Sequence, residues 1–402
     1  MTEHKLKARL GKLALLLGSL TALGPLSIDM YLPAFPYISR ELRTPEGMVQ
    51  LTLSIFLFTS GICQVIYGPL IDRFGRKRPL LIGCALFILG SVGCAYAQTI
   101  EMLIAMRLLQ ALGSAAGLVV SRAVVRDLFD AQEGAKMFSH LMLVMGVAPI
   151  VAPWLGGQFL KFSSWHTIFV FLAVFGIICL LASIYFLPET LDREQRVKGG
   201  LNQIFKNFVT LLKHRQFLGY VLITSFNSGI LFSYISGSPF VFMEIYGLSA
   251  QEYGYFFGLN AFGLIGAAQI NRFLLIRFSP EKIISSTVLV TALAGCILLL
   301  CSIFHYAGFG LLFALLFICL FGIGLSFPNL SAISLQPFGQ LAGSASALLG
   351  MTQFLIGGTA GALIGAFHNN TALPMSSLIA FFAASAVLIL FLLNFTNHEK
   401  KS

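Results

Sequence analysis

Long apolar runs fill the chain, and polar residues gather in short breaks between them. A membrane-spanning helix needs about 20 mostly apolar residues. Twelve runs meet that need, near residues 13–35, 49–71, 79–97, 101–125, 136–160, 167–187, 217–239, 252–270, 283–304, 309–329, 342–366 and 375–396, numbered here as spans 1 to 12. The longest polar break is Pro188–Gln216, with 187 residues before it and 186 after. The pattern predicts an all-α membrane protein with 12 transmembrane helices in two six-helix bundles. Residues 1–187 form the first bundle, 188–216 a linker and 217–402 the second bundle. Six spans, a linker and six spans is a layout of two parallel repeats. A weak echo agrees: Arg73-Phe74-Gly75-Arg76-Lys77-Arg78 between spans 2 and 3 matches Arg277-Phe278-Ser279-Pro280-Glu281-Lys282 between spans 8 and 9.

Composition sharpens this picture. Charged residues are 10% and hydrophobic residues 57%, with 38 Phe. Ordinary globular proteins carry about 25% charged residues, so this chain lacks the polar surface of a soluble enzyme. The formal net charge of +10 reflects the placement of cations, not a nucleic-acid partner, because cytoplasmic loops collect Lys and Arg. With the N-terminus inside, 22 of the 26 Lys and Arg fall on the cytoplasmic side, three (Arg40, Arg43, Lys161) outside, and Arg107 within a span. Both termini are therefore expected in the cytoplasm. Lys5, Lys7, Arg9 and Lys12 imitate a signal peptide, but the following run is too long and lacks a small-residue cleavage site. Seven scattered cysteines without a CxxC pair are expected as packing residues. Seven His without an HxxxH pair give no metal site, and no cofactor is expected. No P-loop, GxSxG or HExxH is present, so neither ATP hydrolysis nor an intramembrane hydrolase is indicated.

Two ionisable residues sit well inside spans, Asp29 in span 1 and Arg107 in span 4. Each costs about 2.5–3.5 kcal/mol to insert. Each lies six residues from its outer boundary, about 9 Å deep, so the two charges are level. Either they form a static ion pair, or Asp29 is a titratable carboxylate in a water-accessible cavity. Pro25, Pro33 and Gly24 flank Asp29 and weaken the helix ladder. Tyr31 either faces a ligand or belongs to the interfacial aromatic belt. Span 7 mixes Phe226, Asn227, Ser228, Phe232, Ser233, Tyr234 and Ser236, which suits either an amphiphilic pocket or a polar seam between helices.

The turn from Gly68 to Pro79 holds Asp72, Arg73, Gly75 and Arg76. Positive-inside placement explains its cations but not Asp72 at the membrane edge. Asp72 is expected to pair with a cation or cap a helix N-terminus, a breakable contact suited to a gate. Span 5 carries Pro149 and Pro153 on one face and closes with Gly156 and Gly157, which permit close packing. Gly357, Gly361 and Gly365 in span 11 are read as packing positions.

These residues resemble the major facilitator superfamily. Gly68–Pro79 is similar to its Gly-x-x-x-Asp-Arg-x-Gly-Arg-Lys signature, and Arg107–Gly113 to its fourth-helix motif, with Ala111 in place of the usual Gly. Span 5 resembles the antiporter motif of drug exporters, with Ala148 at its first Gly. Pro25–Ala34, Ser164-Trp165-His166 and Leu187–Leu191 resemble the Bcr/CflA subgroup, which exports drugs such as bicyclomycin and chloramphenicol. The resemblance implies the major facilitator fold and a proton-driven multidrug antiporter in the bacterial inner membrane. It ties Asp29 and Arg107 to proton coupling. It places Gly68, Asp72, Arg73, Gly75 and Arg76 at a cytoplasmic gate, and Pro149, Pro153, Gly156 and Gly157 in the antiporter motif. Asp29, Tyr31, Asn227, Phe232 and Tyr234 are the expected substrate-binding residues. The expected partners are small-molecule drugs, protons and the lipid bilayer, with no nucleic acid, for a monomer that is not an enzyme. The alternative function is proton-coupled uptake of a small metabolite.

Overall fold

A computed structural model describes residues 3–192, 194, 196, 201–304 and 308–399. Arg193 and Lys198 of the central linker lie outside the described residues, as do Lys400 and Lys401. Among the described residues the protein is all-helical. In chain order the helices are α1 (Glu3–Asp29), α2 (Phe35–Glu41), α3 (Glu46–Phe74), α4 (Lys77–Ala95), α5 (Ile100–Leu128), α6 (Ala131–Phe162), α7 (His166–Phe186), α8 (Leu201–Leu212), α9 (Arg215–Pro239), α10 (Ala250–Leu274), α11 (Pro280–Ile303), α12 (Phe309–Leu335), α13 (Ala342–Ala366) and α14 (Leu373–Glu399). Spans 1 to 6 correspond to α1 and α3 to α7, and spans 7 to 12 to α9 through α14. The short α2 and α8 lie between spans.

Local chemistry sets these limits. Gly75 ends α3 at φ +86°, a backbone region that glycine enters without steric cost. Thr99 caps α5 by accepting the Met102 amide at 3.3 Å. Asp130 caps α6 by accepting the Gln132 and Glu133 amides, and Ser249 with Glu252 forms a reciprocal capping box on α10.

Among the described residues, 11 helical segments are long and apolar enough to cross a membrane. The twelfth expected span, α10, carries Gln251, Glu252, Asn260, Gln269, Asn271 and Arg272. Most of its buried amide groups find partners inside the bundle: Asn260 donates to the Tyr234 hydroxyl at 3.1 Å, and Asn271 and Asn329 bond each other at 3.2 and 2.8 Å. Internal partners of this kind let amides sit at membrane depth.

The two bundles meet along α3 with α13 and along α6 with α10. At the end where α1 finishes, contact is backbone to backbone. A Cβ on Gly365 would lie 2.7 Å from the Gly47 carbonyl oxygen, and one on Gly157 2.7 Å from that of Ala250. Arg40 of α2 bridges to Glu244, just after α9, at 2.6 Å across the same end. Of the span-11 glycines, Gly361 serves this packing against Ser54 of α3, while Gly357 packs against Phe232 of α9 within the second bundle. All seven cysteines are free; five are buried as packing residues, Cys301 is part-buried and Cys296 faces outward.

Candidate functional site

The prolines flanking Asp29 do more than bend span 1. Helix α1 stops at Asp29, a turn follows at Met30 and Tyr31, Leu32–Ala34 form a 3-10 helix, and α2 begins at Phe35. Asp29 is thus the last residue of α1, with its side chain buried. Among the described residues its carboxylate makes no ion pair or hydrogen bond, so the level-charge argument for a static pair with Arg107 does not hold. Asp29 instead sits within electrostatic reach of Tyr234 on α9 and Tyr253 on α10, both in the second bundle. Those tyrosines belong to a polar cluster: Asn260 donates to Tyr234, and the Ser238 and Tyr253 hydroxyls bond at 3.1 Å. The Asn260 carbonyl oxygen is buried without a partner.

Arg107 is compensated differently. It is fully buried. Its Nη1 donates to the Ser27 carbonyl at 3.0 Å and to Gln110 Oε1 at 2.5 Å, and Gln110 in turn donates to Ser91 at 2.8 Å. The guanidinium carbon lies 4.6 Å from the centre of the Tyr31 ring and 4.4 Å from that of Phe56. Desolvated cation–π contacts contribute about 2 kcal/mol each, so ring faces and carbonyls take the place of an acid. Nε and Nη2 have no hydrogen-bond partner. The Tyr31 hydroxyl bonds Thr52 on α3, which fixes this ring under Arg107.

The expected substrate residues therefore separate into groups. Tyr234 lies within electrostatic reach of Asp29, whereas the Tyr31 ring packs on Arg107. Asn227 donates to Ser326 on α12 at 2.9 Å, and Phe232 packs against Phe354 on α13 with ring centres 5.9 Å apart. Ser238, Tyr253 and Asn260 went unnoticed in the sequence. Their signal is spacing: Ser238 lies one turn after Tyr234, and Asn260 two turns after Tyr253.

The turn after α3 is built around Arg76, which is buried. It bonds Asp72 at 2.6 Å and Asp127, at the end of α5, at 2.8 Å. Burial alone would lower the Arg76 pKa, but the hydrogen bonds to Asp127 and Asp72 outweigh it and raise it above its ordinary value. Glu189 accepts the Arg76 amide at 2.7 Å, and Thr190 donates to Asp127 at 2.9 Å. Arg73 lies over Phe74, and Gly68 has open space beside it. Asp72 and Asp127 belong to the first bundle, and Glu189 and Thr190 to the start of the linker that follows it.

Helix α6 touches both sides of the Asp29 region. Pro149 and Pro153 interrupt its ladder. Gly156 packs directly on the Met30 carbonyl, one residue past Asp29. The Gly157 carbonyl accepts from Gln251 at 2.7 Å, at the start of the helix that carries Tyr253 and Asn260.

Similar proteins match this architecture. The chain is 40% identical over 372 residues to "Uncharacterized MFS-type transporter YdgK" of Bacillus subtilis, covering 91% of each. It is 32% identical over 361 residues to "Bicyclomycin resistance protein homolog" of Haemophilus influenzae, covering 90% of each. It is also 32% identical to "Multidrug resistance protein MdtL" of Shigella dysenteriae, covering 83% of each. Among solved structures, a peptide transporter POT superposes with a TM-score of 0.77 at 14% identity, covering 96% of this chain and 94% of that one. A bacterial homolog of the human lysosomal transporter Spinster gives 0.74 at 15% identity, covering 98% and 97%. Those two establish the fold alone. The family model for the Major Facilitator Superfamily matches residues 17–362, a stretch that takes in the broken α1, the Arg76 turn and the glycine run of α6, and the chain is a multi-pass membrane transporter of that superfamily.

Proposed function

We propose that the protein exports small amphiphilic drugs in exchange for protons by alternating access, as a monomer in the bacterial inner membrane. Relatives named for multidrug and bicyclomycin resistance support the drug class. The 22-to-3 distribution of cations supports both termini, the linker 188–216 and the Arg76 turn lying in the cytoplasm. The bundles 1–187 and 217–402 are the moving bodies, and the end closed by Arg40 and Glu244 is the outer one.

The observation that carries the coupling is the Asp29 carboxyl: buried, at a helix end, with no cation paired to it among the described residues, and within electrostatic reach of tyrosines of the opposite bundle. Such a group exchanges a proton without breaking an ion pair. Its surroundings change when the bundles separate, because Tyr234 and Tyr253 move with the second bundle. A proton entering from the outside favours drug release there, and proton release to the cytoplasm readies the site for the next drug. Arg107, held by ring faces, is tied to the same helix break through the Ser27 carbonyl and Tyr31, and through that link takes part in the coupling. Asp29, Tyr31, Asn227, Phe232 and Tyr234 remain the proposed drug contacts, and the Gly68–Arg76 turn the cytoplasmic gate.

The test is drug efflux in vesicles with an imposed pH gradient, alongside drug-induced proton release from purified protein. Asp29→Asn is expected to abolish both, while binding of a neutral drug survives. Intact proton release and gradient-driven efflux in the variant would move coupling elsewhere. Sensitisation to drugs when the protein is expressed in an efflux-deficient bacterium would favour uptake.

A further inference from the structure

Positive-inside counting assigns Arg122 to the cytoplasmic end of span 4, and the structure places it within α5 (Ile100–Leu128), six residues before the helix ends. It is part-buried. Among the described residues no carboxylate, carbonyl or aromatic ring meets its guanidinium. A cation inside a spanning segment usually pairs or lines a water-filled path, and among the described residues no partner meets this one.

The direction of Arg122 follows from what covers the rest of α5. Gly117 lies against the backbone of Leu20, and Ser121 donates to the Leu17 carbonyl at 3.2 Å, so that side faces α1. Gly113 meets Phe87, and Ala116 meets Gly83, so the next side faces α4. Tyr67 of α3 donates to the Leu112 carbonyl at 2.9 Å. At about 100° per residue, roughly half of the circumference is left between α3 and α1. That arc holds Arg107, Ala111, Ala115, Leu118 and Arg122; Tyr31 and Phe56 cover it at Arg107, and Ala111 and Ala115 are buried, whereas Leu118 and Arg122 are only part-buried. Arg122 is about 60° around from Arg107 and about 22 Å along the axis from it, toward the end that bears the Arg76 turn. Two guanidiniums with unused donors therefore share one arc of the first bundle, and Asp29 does not neutralise either.

We propose that Arg122 is a substrate contact at the cytoplasmic side of the transport path, and that it takes an anionic group such as a carboxylate. The transporter then accepts neutral and anionic amphiphiles in preference to lipophilic cations. This rests on the export reading above and names the substrate class of that site. The guanidinium supplies a fork of N–H donors matched to a carboxylate. A cation entering the same arc meets like charge at two levels.

The experiment compares chloramphenicol, which is neutral, with its hemisuccinate, which carries a carboxylate, in proteoliposomes under an imposed pH gradient. The vesicles are phosphatidylcholine alone, so that no anionic headgroup can serve as the ligand. Arg122→Gln is expected to lower the hemisuccinate-to-chloramphenicol ratio of kcat/KM about ten- to a hundredfold, the loss of one charge-assisted hydrogen bond. Arg122→Lys keeps most of the ratio. Leu118→Asp places a carboxylate one turn away on the same arc; it lowers the ratio equally and serves if the glutamine variant fails to fold. An unchanged ratio in folded Arg122→Gln and Leu118→Asp protein overturns the inference, as does wild-type transport of ethidium in preference to the hemisuccinate. Wild-type protein that moves none of the three compounds overturns the export reading itself, and the inference falls with it.

Discussion

Replacing Gly156 with alanine adds a single methyl group at the tightest point beside Asp29. The new Cβ would fall far inside contact distance of the Met30 carbonyl oxygen, 3.0 Å from the carbonyl carbon and 3.1 Å from Pro33 Cγ. Ordinary carbon contacts begin near 3.5 Å, so the Met30–Pro33 segment must retreat by roughly an ångström. It cannot do so freely: Pro33 fixes its backbone, and the Tyr31 hydroxyl is tied to α3. Overpacking of this kind costs about 1–3 kcal/mol. The cost falls on the state in which α6 and the end of α1 are this close. If about 2 kcal/mol of it is specific to that state, the ratio of closed to open outer ends drops by about thirtyfold. Cysteines replacing Arg40 and Glu244, whose side chains meet at 2.6 Å, report the closure as a disulfide. The outward-facing Cys296 is replaced by serine to remove background. Gly156→Ala is expected to slow formation of that disulfide by at least about tenfold. Unchanged disulfide formation, with an unchanged thermal midpoint, would refute the reasoning from backbone contact.

Arg76→Gln leaves Asp72 and Asp127 without their shared cation and is expected to cost about 1–3 kcal/mol, read as a lower thermal midpoint of the purified protein. Asp72→Asn leaves stability within about 1 kcal/mol, because the Asp72 side chain is 46% exposed, but impairs transport while drug binding persists; wild-type transport rates at matched expression would contradict a gating role. Asn271→Leu strands the Asn329 amide at a cost of about 1–3 kcal/mol, whereas the double change to leucine restores much of the loss, measured by thermal unfolding in detergent. Cysteines at Lys213 and Asn369 are expected to label from opposite sides of the membrane, and labelling from one side would overturn the topology.

The spans were legible because bilayer thickness imposes a length that any sliding count of apolar residues detects. The Gly75 turn was legible because a backbone reversal beside clustered cations favours glycine. What the sequence left hidden was rotation about the helix axes. Asp29 and Arg107 are matched in depth, and depth is all that residue counting supplies. Azimuth depends on where α1 breaks, and the prolines mark a weak helix without saying which way its last side chain turns. Arg122 shows the same limit, since a charge count gives its end of the helix but not the side it occupies. Residues Asp127 and Glu189, which complete the Arg76 network, lie 51 and 113 positions from it in the chain. Only the fold brings them together. The polar residues of α10 similarly weaken its apolar signal, and only the fold supplies the partners on α9 and α12 to which Asn260 and Asn271 donate.

The glycine pair of α6 places the proposed proton site and the junction between bundles under one constraint. Gly156 bears on the residue after Asp29, and Gly157 bears on Ala250 in the first turn of α10, three residues before Tyr253 of the cluster within electrostatic reach of Asp29. Any shift of α6 against α10 therefore changes the distance from the carboxyl to its tyrosines at the same time as it opens or closes the outer end. Antiport requires that a protonation change and a change of access be one event, since a site that titrated independently of the bundle contact would leak protons. Side chains larger than glycine at either position would hold α6 away from one of its two neighbours and let these movements separate. The short side chains thus explain, on packing grounds alone, why the proposed coupling acid needs a Pro/Gly-interrupted helix beside it. A smooth leucine-faced helix would pack against α1 or α10 through side chains that can flex, and would transmit only part of the displacement.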